Sequence, residues 1–174
     1  MMRLASFFTV AVLFSIASFA RADVELTISG VHNCCESCTK GIEKIINGTG
    51  NKFMKAGNGG IIVQAKGKTE SKKIIEALMD GGFYGKAEAA SASSSSEAKK
   101  SSKPAKMVKS AKISGVHLCC QRCATTLAGA MRAIPGVKTH NIYPRKEEFV
   151  IEGEFDKEAV LPAMNEAGFH GKVK

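Results

Sequence analysis

One imidazole and three thiols stand together twice in this sequence: His32, Cys34, Cys35 and Cys38 in GVHNCCESC, and His117, Cys119, Cys120 and Cys123 in GVHLCCQRC. Sulfur and imidazole are the donors that soft and borderline metal ions prefer. All six cysteines of the chain fall in these two strings. No cysteine is left elsewhere as a staple, so a shared local chemistry fits better than a dispersed disulfide framework. The pairs Cys35/Cys38 and Cys120/Cys123 set their sulfurs across the first turn of an expected helix, close enough to hold one ion. The positive end of a helix favours loss of the thiol proton, and the thiolate is the form that binds metal or attacks a disulfide. Cys34 and Cys119 add a third sulfur from the preceding loop. His32 and His117, at matched positions, are placed either to reach as a fourth ligand or to cap the loop.

The remaining histidines read differently. His170 stands where the first copy has Tyr84, and His140 has no counterpart, so both read as surface or packing residues. Met131 lies in an apolar helical stripe and reads as core.

The elements that must position these loops follow from the pattern around them. Val24, Leu26 and Ile28 alternate with polar residues, as in a half-buried strand ending at Gly30. From Cys38 the period becomes helical, with Ile42, Ile45 and Ile46 on one stripe and Asn47-Gly48 as the stop. Ala124, Leu127, Ala128 and Met131 repeat that stripe in the second copy, with Pro135-Gly136 as the stop. Hairpins are expected over Lys52–Ala56 and Ile61–Lys66, and over Val137–Ile142 and Glu148–Glu152. A second amphipathic helix should start near Thr69 or Asp156 and end at Gly81-Gly82 or Gly168, before a last short strand. Pro162 falls inside that helix in the second copy, which predicts a kink or a late start. The order βαββαβ, with right-handed crossovers, predicts an α+β fold: two ferredoxin-like domains, each a four-stranded antiparallel sheet with two helices on one face.

The repeat extends beyond the cysteine strings, because EALMDGGFYGK (Glu76–Lys86) resembles LPAMNEAGFHGK (Leu161–Lys172). Self-similarity at both edges divides the chain into Asp23–Lys86 and Met107–Lys174. Between them Ala87–Lys106 is rich in Ser, Ala and Lys and reads as a flexible linker spanning roughly 25 Å. The first 22 residues, a short basic start, an apolar run and Ala20-Arg21-Ala22, read as a signal peptide cleaved after Ala22, which predicts a periplasmic or secreted protein. The apolar run falls short of the roughly 20 residues that span a bilayer. The net charge of +9 is spread over every segment, with no Trp and two Tyr, which argues against a nucleic-acid-binding face. A module this small buries only about 60% of its unfolded surface and has little room for a catalytic cleft, so no enzymatic activity is expected.

An exported βαββαβ module with Gly-x-x-Cys-x-x-Cys-like residues after its first strand and a Gly-Phe before its last resembles the heavy-metal-associated (HMA) domain family. The resemblance covers both copies. It implies metal-binding modules and metallochaperones that pass Cu(I), or in some branches mercury, zinc or cadmium, by ligand exchange with a partner's similar loop. That partner would be a metal-transport ATPase or another metal-binding domain. It also implies Cys35 and Cys38, and Cys120 and Cys123, as the two ligands of each copy, and it puts Phe83 and Phe169 at an aromatic position that shields the ion or simply packs in the core. The loops here depart from the family's Gly-Met-x-Cys-x-x-Cys: they are two residues longer, carry Val31 and Val116 in place of Met, and insert Cys34 and Cys119. Two thiolates suit Cu(I) or mercury, three suit Cu(I) or heavier thiophilic ions, and three thiolates with one imidazole suit zinc.

Three functions compete on this reading. The first is a soft-metal-binding and delivery protein loading one ion per copy. The second is a thiol–disulfide redox protein using the Cys-x-x-Cys pairs, although no proline lies beside them. The third is an interaction module with structural disulfides, which three cysteines per copy cannot complete locally.

Overall fold

Alternation of apolar and polar residues, together with the glycines that end each run, sets the strands and helices. The computed structural model describes residues 23–57, 60–67, 69–89 and 106–174. The expected signal peptide and most of the expected linker lie outside the described residues. Among the described residues no helix is long and apolar enough to cross a membrane.

The first unit runs β1 (Val24–Ser29), α1 (Glu36–Gly48), β2 (Lys52–Gly57), β3 (Gly60–Ala65), α2 (Glu70–Asp80) and β4 (Lys86–Ala89). The second runs β5 (Met107–Ser114), α3 (Gln121–Arg132), β6 (Val137–His140), β7 (Glu148–Asp156), α4 (Val160–Glu166) and β8 (Lys172–Val173). The sheets are ordered β2-β3-β1-β4 and β6-β7-β5-β8, with every pairing antiparallel. In each unit the first strand is therefore central, and the loop after it emerges from the middle of the sheet. This is the α+β ferredoxin-like architecture that the strand and helix order predicts. β4 crosses the boundary drawn at Lys86, since Ala87, Glu88 and Ala89 pair with β1.

Each core is the inward face of the sheet against two helices. Leu26, Ile28, Ile61 and Val63 from the strands meet Ile42, Ile46, Ile74 and Leu78 from α1 and α2, all buried. In the second unit Ile113, Phe149, Ile151 and Phe155 meet Leu127, Met131, Val160 and Met164. Full burial of each such side chain contributes about 1.5–3 kcal/mol, so these faces fix the strand register and the helix orientation.

Several boundaries differ from the sequence expectation. α1 starts at Glu36 rather than Cys38, because Cys35 takes the extended N-cap position (φ −160°, ψ 169°). The same helix runs through Gly48, and the left-handed turn falls at Gly50 (φ 83°). β6 stops at His140, two residues early, and beyond it the Asn141 side chain accepts from the Val150 N–H (2.6 Å). β7 is longer than expected, since Met107 of β5 pairs as far as Asp156. Thr69 does occupy the N-cap of α2, without a side-chain hydrogen bond. The Asp156 carboxylate accepts from the N–H groups of Glu158 and Lys106, each at 3.0 Å, and caps a short 3-10 turn, Lys157–Ala159. α4 begins only after that turn. Pro162 thus lies in the first turn of the helix, where its missing N–H costs no helical hydrogen bond.

Candidate metal centre

Both cysteine loops leave the end of a central strand at a glycine with positive φ, Gly30 (74°) and Gly115 (75°), and enter a helix at a cysteine. Cys35 and Cys120 are the N-cap residues of α1 and α3. Their carbonyls accept the first helical N–H groups, from Thr39 at 3.1 Å and Ala124 at 3.2 Å. Neither cap makes a side-chain hydrogen bond, so the helix starts leave N–H groups free to face sulfur. Cys38 and Cys123 follow in the first turn, fully buried, whereas Cys34, Cys35, Cys119 and Cys120 are part-exposed.

The loops are braced differently. In the first, the Thr39 hydroxyl donates to the Asn33 side chain at 2.9 Å. In the second, Leu118 is buried where Asn33 stood, its carbonyl accepts from the Arg145 N–H, and Glu147 O accepts from the Val116 N–H at 3.1 Å. Arg145 has the left-handed φ (63°) that lets the β6–β7 connection fold back onto this loop.

The two loops face each other. The Tyr84 N–H donates to Gly168 O (3.0 Å), and the His170 N–H donates to Gly82 O (3.1 Å), which joins Phe83 and Phe169 as a short antiparallel bridge between the units. The His32 N–H also points to Gly168 O, at 3.4 Å, and Arg122 Nη1 donates to Cys34 O at 2.9 Å. Gly82 and Gly168 have positive φ and no room for a side chain. A Cβ at either would stand 2.4 Å from the backbone nitrogen of the other unit's histidine, His117 or His32.

Each loop histidine stacks on the phenylalanine of the opposite unit: His32 on Phe169 at 4.3 Å and His117 on Phe83 at 4.4 Å. Each loop histidine lies beside sulfurs of both units. His32 groups with Cys34 and Cys123, and His117 with Cys38 and Cys119, ligand atoms within 4.8 Å of one another. The Nε2 atoms of both histidines are buried and have no hydrogen-bond partner. Burial holds the His32 imidazole below its usual range, which keeps it neutral and able to act as a ligand. His170 and His140 lie apart from the sulfurs: His170 Nδ1 meets the Asn165 side chain at 3.3 Å, and His140 Nδ1 accepts from the Ile142 N–H at 3.4 Å.

All six cysteines are free, and their sulfurs form one connected group. Within a unit, Cys35 and Cys38 are 3.7 Å apart, as are Cys120 and Cys123. Between units the separations are as short: Cys38–Cys119 3.3 Å, Cys34–Cys123 3.5 Å, Cys35–Cys119 3.5 Å, Cys34–Cys120 3.6 Å and Cys38–Cys123 3.7 Å. These exceed a disulfide bond of about 2.05 Å but match the edge of a coordination polyhedron, about 3.8 Å for metal–sulfur bonds near 2.3 Å.

Crowding so many thiols separates their acidities. Burial pushes Cys34 up to about 12, despite S–H donation from Cys123, and burial likewise raises Cys119. Cys38 is pulled down, first by S–H donation from Cys123, and Cys123 is raised by that same contact, so the pair holds one proton between two sulfurs. Cys120 is held at about 6, chiefly by the Cys123 N–H facing it at the open helix start. The cluster therefore offers thiolate at Cys38 and Cys120 at neutral pH while Cys34, Cys119 and Cys123 keep their protons. An open cleft of about 330 Å³, lined in part by Gly81, His117, Cys119 and Arg145, borders the group and gives a reactant access to Cys119.

The sequence expectation named the cysteines and loop histidines but missed the residues that bring the loops together. Gly82, Gly168, Tyr84 and the backbone of His170 do this. The Gly-Phe before the last strand repeats in both copies, but nothing along the sequence marks it as a docking surface.

Fold and site together define a pair of ferredoxin-like α+β units whose cysteine loops form groups able to hold a metal ion. No protein-family model matches the sequence, and no curated protein matches it. Among solved structures, the chain is similar to the solution structure of the N-terminal soluble domains of Bacillus subtilis CopA, with 17% identity over 88% of this chain and 93% of that one and a TM-score of 0.27. At that identity and score the likeness adds nothing to what the strand order shows.

Proposed function

We propose that this chain is an exported soft-metal-ion binding protein with two tandem HMA-like domains, which captures Cu(I) by preference and passes it on by thiolate exchange. The observation that carries the reading is the group of six free sulfurs at coordination spacing. Sulfur-only sites select Cu(I) and other thiophilic ions over hard cations, and the buried Nε2 atoms of two imidazoles, which have no hydrogen-bond partner, stand by as further donors. Exchange proceeds associatively: an incoming thiolate bonds to the ion before an outgoing one leaves. A metal-transport ATPase or another metal-binding domain would supply the incoming sulfur. Zinc, mercury and cadmium are the competing ions, and the role involves no catalysis.

Anaerobic native mass spectrometry of the reduced protein, with Cu(I), Zn(II) and Hg(II) in competition, tests this reading. Copper should dominate over zinc, and Cys34→Ser should weaken its uptake. Failure to take up any of the three ions, combined with a reduction potential in the oxidant range and insulin-reducing activity, would replace it with thiol–disulfide chemistry.

A further inference from the structure

We infer that the two units do not load one ion each but close on a single polynuclear Cu(I)–thiolate cluster, bridged by all six cysteines. This deepens the metal-binding reading above and rests on it. The sulfurs do not sort by unit: five separations across the interface run from 3.3 to 3.7 Å, and those within a unit from 3.5 to 3.9 Å. Of the four groups able to hold an ion among the described residues, three draw donors from both units.

The cysteines that exceed a two-thiolate site, Cys34 and Cys119, make four of the five separations across the interface. Cys34 approaches Cys120 and Cys123, and Cys119 approaches Cys35 and Cys38. A single Cu(I) needs only two or three sulfurs, so six in one connected group at coordination spacing exceed what one ion uses. With three sulfurs around each ion and each sulfur shared by two ions, six thiolates balance about four Cu(I). Each thiol gives its proton to solvent as its sulfur bonds, no electrons move, and the cluster carries a small negative charge. The interface is built to permit this approach, since only glycine fits at positions 82 and 168.

The test uses the full chain after reduction, titrated anaerobically with Cu(I) supplied as its acetonitrile complex and followed by native mass spectrometry. The wild type should pass to a species with about four copper ions while one-copper species stay scarce. Changing Cys119, Cys120 and Cys123 together to Ser should reduce loading to about one ion, a loss of more than half. In a second variant, Gly82→Asn with Gly168→Asn, each unit keeps a residue that tolerates positive φ but gains a Cβ that blocks docking. It should lose the cooperative step with its circular dichroism unchanged. Two ions filling independently in the wild type, with the same two taken up by the Gly82→Asn/Gly168→Asn variant, would overturn the shared cluster and leave the metal-binding reading intact. No copper uptake by the wild type would overturn both.

Discussion

All six sulfurs touch sulfurs from both units, and Cys38 and Cys123 differ from the other four in being fully buried. Replacing such a sulfur with a hydroxyl leaves a hard, protonated donor facing a soft ion. Cys38→Ser should therefore lower Cu(I) affinity by about a hundredfold or more, and His32→Ala by about tenfold or less, as an imidazole beside the sulfurs tunes the site more than it holds the ion. Competition against a chromophoric Cu(I) chelator measures both, and equal losses would remove the sulfur-first assignment. Acidity sets a second expectation. Burial holds Cys34 at about 12, so its proton is present at neutral pH and must leave when the ion binds. Affinity should rise with pH, about tenfold per unit for each proton displaced, and copper addition in weak buffer should acidify the solution. Binding that is flat between pH 6 and 8 would mean that the thiols were already ionised.

At the scale of single elements, Pro162 gives the clearest prediction. Inside a helix it would cost about 3 kcal/mol. Here the Asp156 cap and the 3-10 turn delay α4 to Val160, which places the proline in the first turn. Pro162→Ala should therefore shift the urea-unfolding free energy by less than about 1 kcal/mol, and a gain near 3 kcal/mol would show the proline to be misplaced. The strand and helix order was legible because each element has a clean period. Val24, Leu26 and Ile28 alternate, Ile42 and Ile46 lie on one helical stripe, and both sets are inward-facing. Helix starts were less legible, because a cysteine at the N-cap gives none of the usual Ser, Thr, Asp or Asn signal. The length of β7 was hidden as well, since Gly153 (φ 145°) interrupts the alternation while the pairing with β5 continues to Asp156.

For the whole molecule, the repeated cysteine strings were visible in the sequence but their meeting was not. A linker read from composition alone permits both separate and docked arrangements, and the choice depends on how two surfaces fit. That fit comes from Gly82 and Gly168 admitting the opposite loop's backbone, and from Phe83 and Phe169 stacking on the opposite histidines. Neither residue type announces a partner when read along one chain. The docked arrangement also changes the account of the histidines, which serve the other unit's buried cysteine rather than their own. X-ray absorption at the copper edge of the Cu(I)-loaded full chain tests the central claim, that cysteine sulfur holds the ion, most directly. The first shell should be sulfur alone or nearly so, at about 2.3 Å. A shell dominated by nitrogen or oxygen would contradict it.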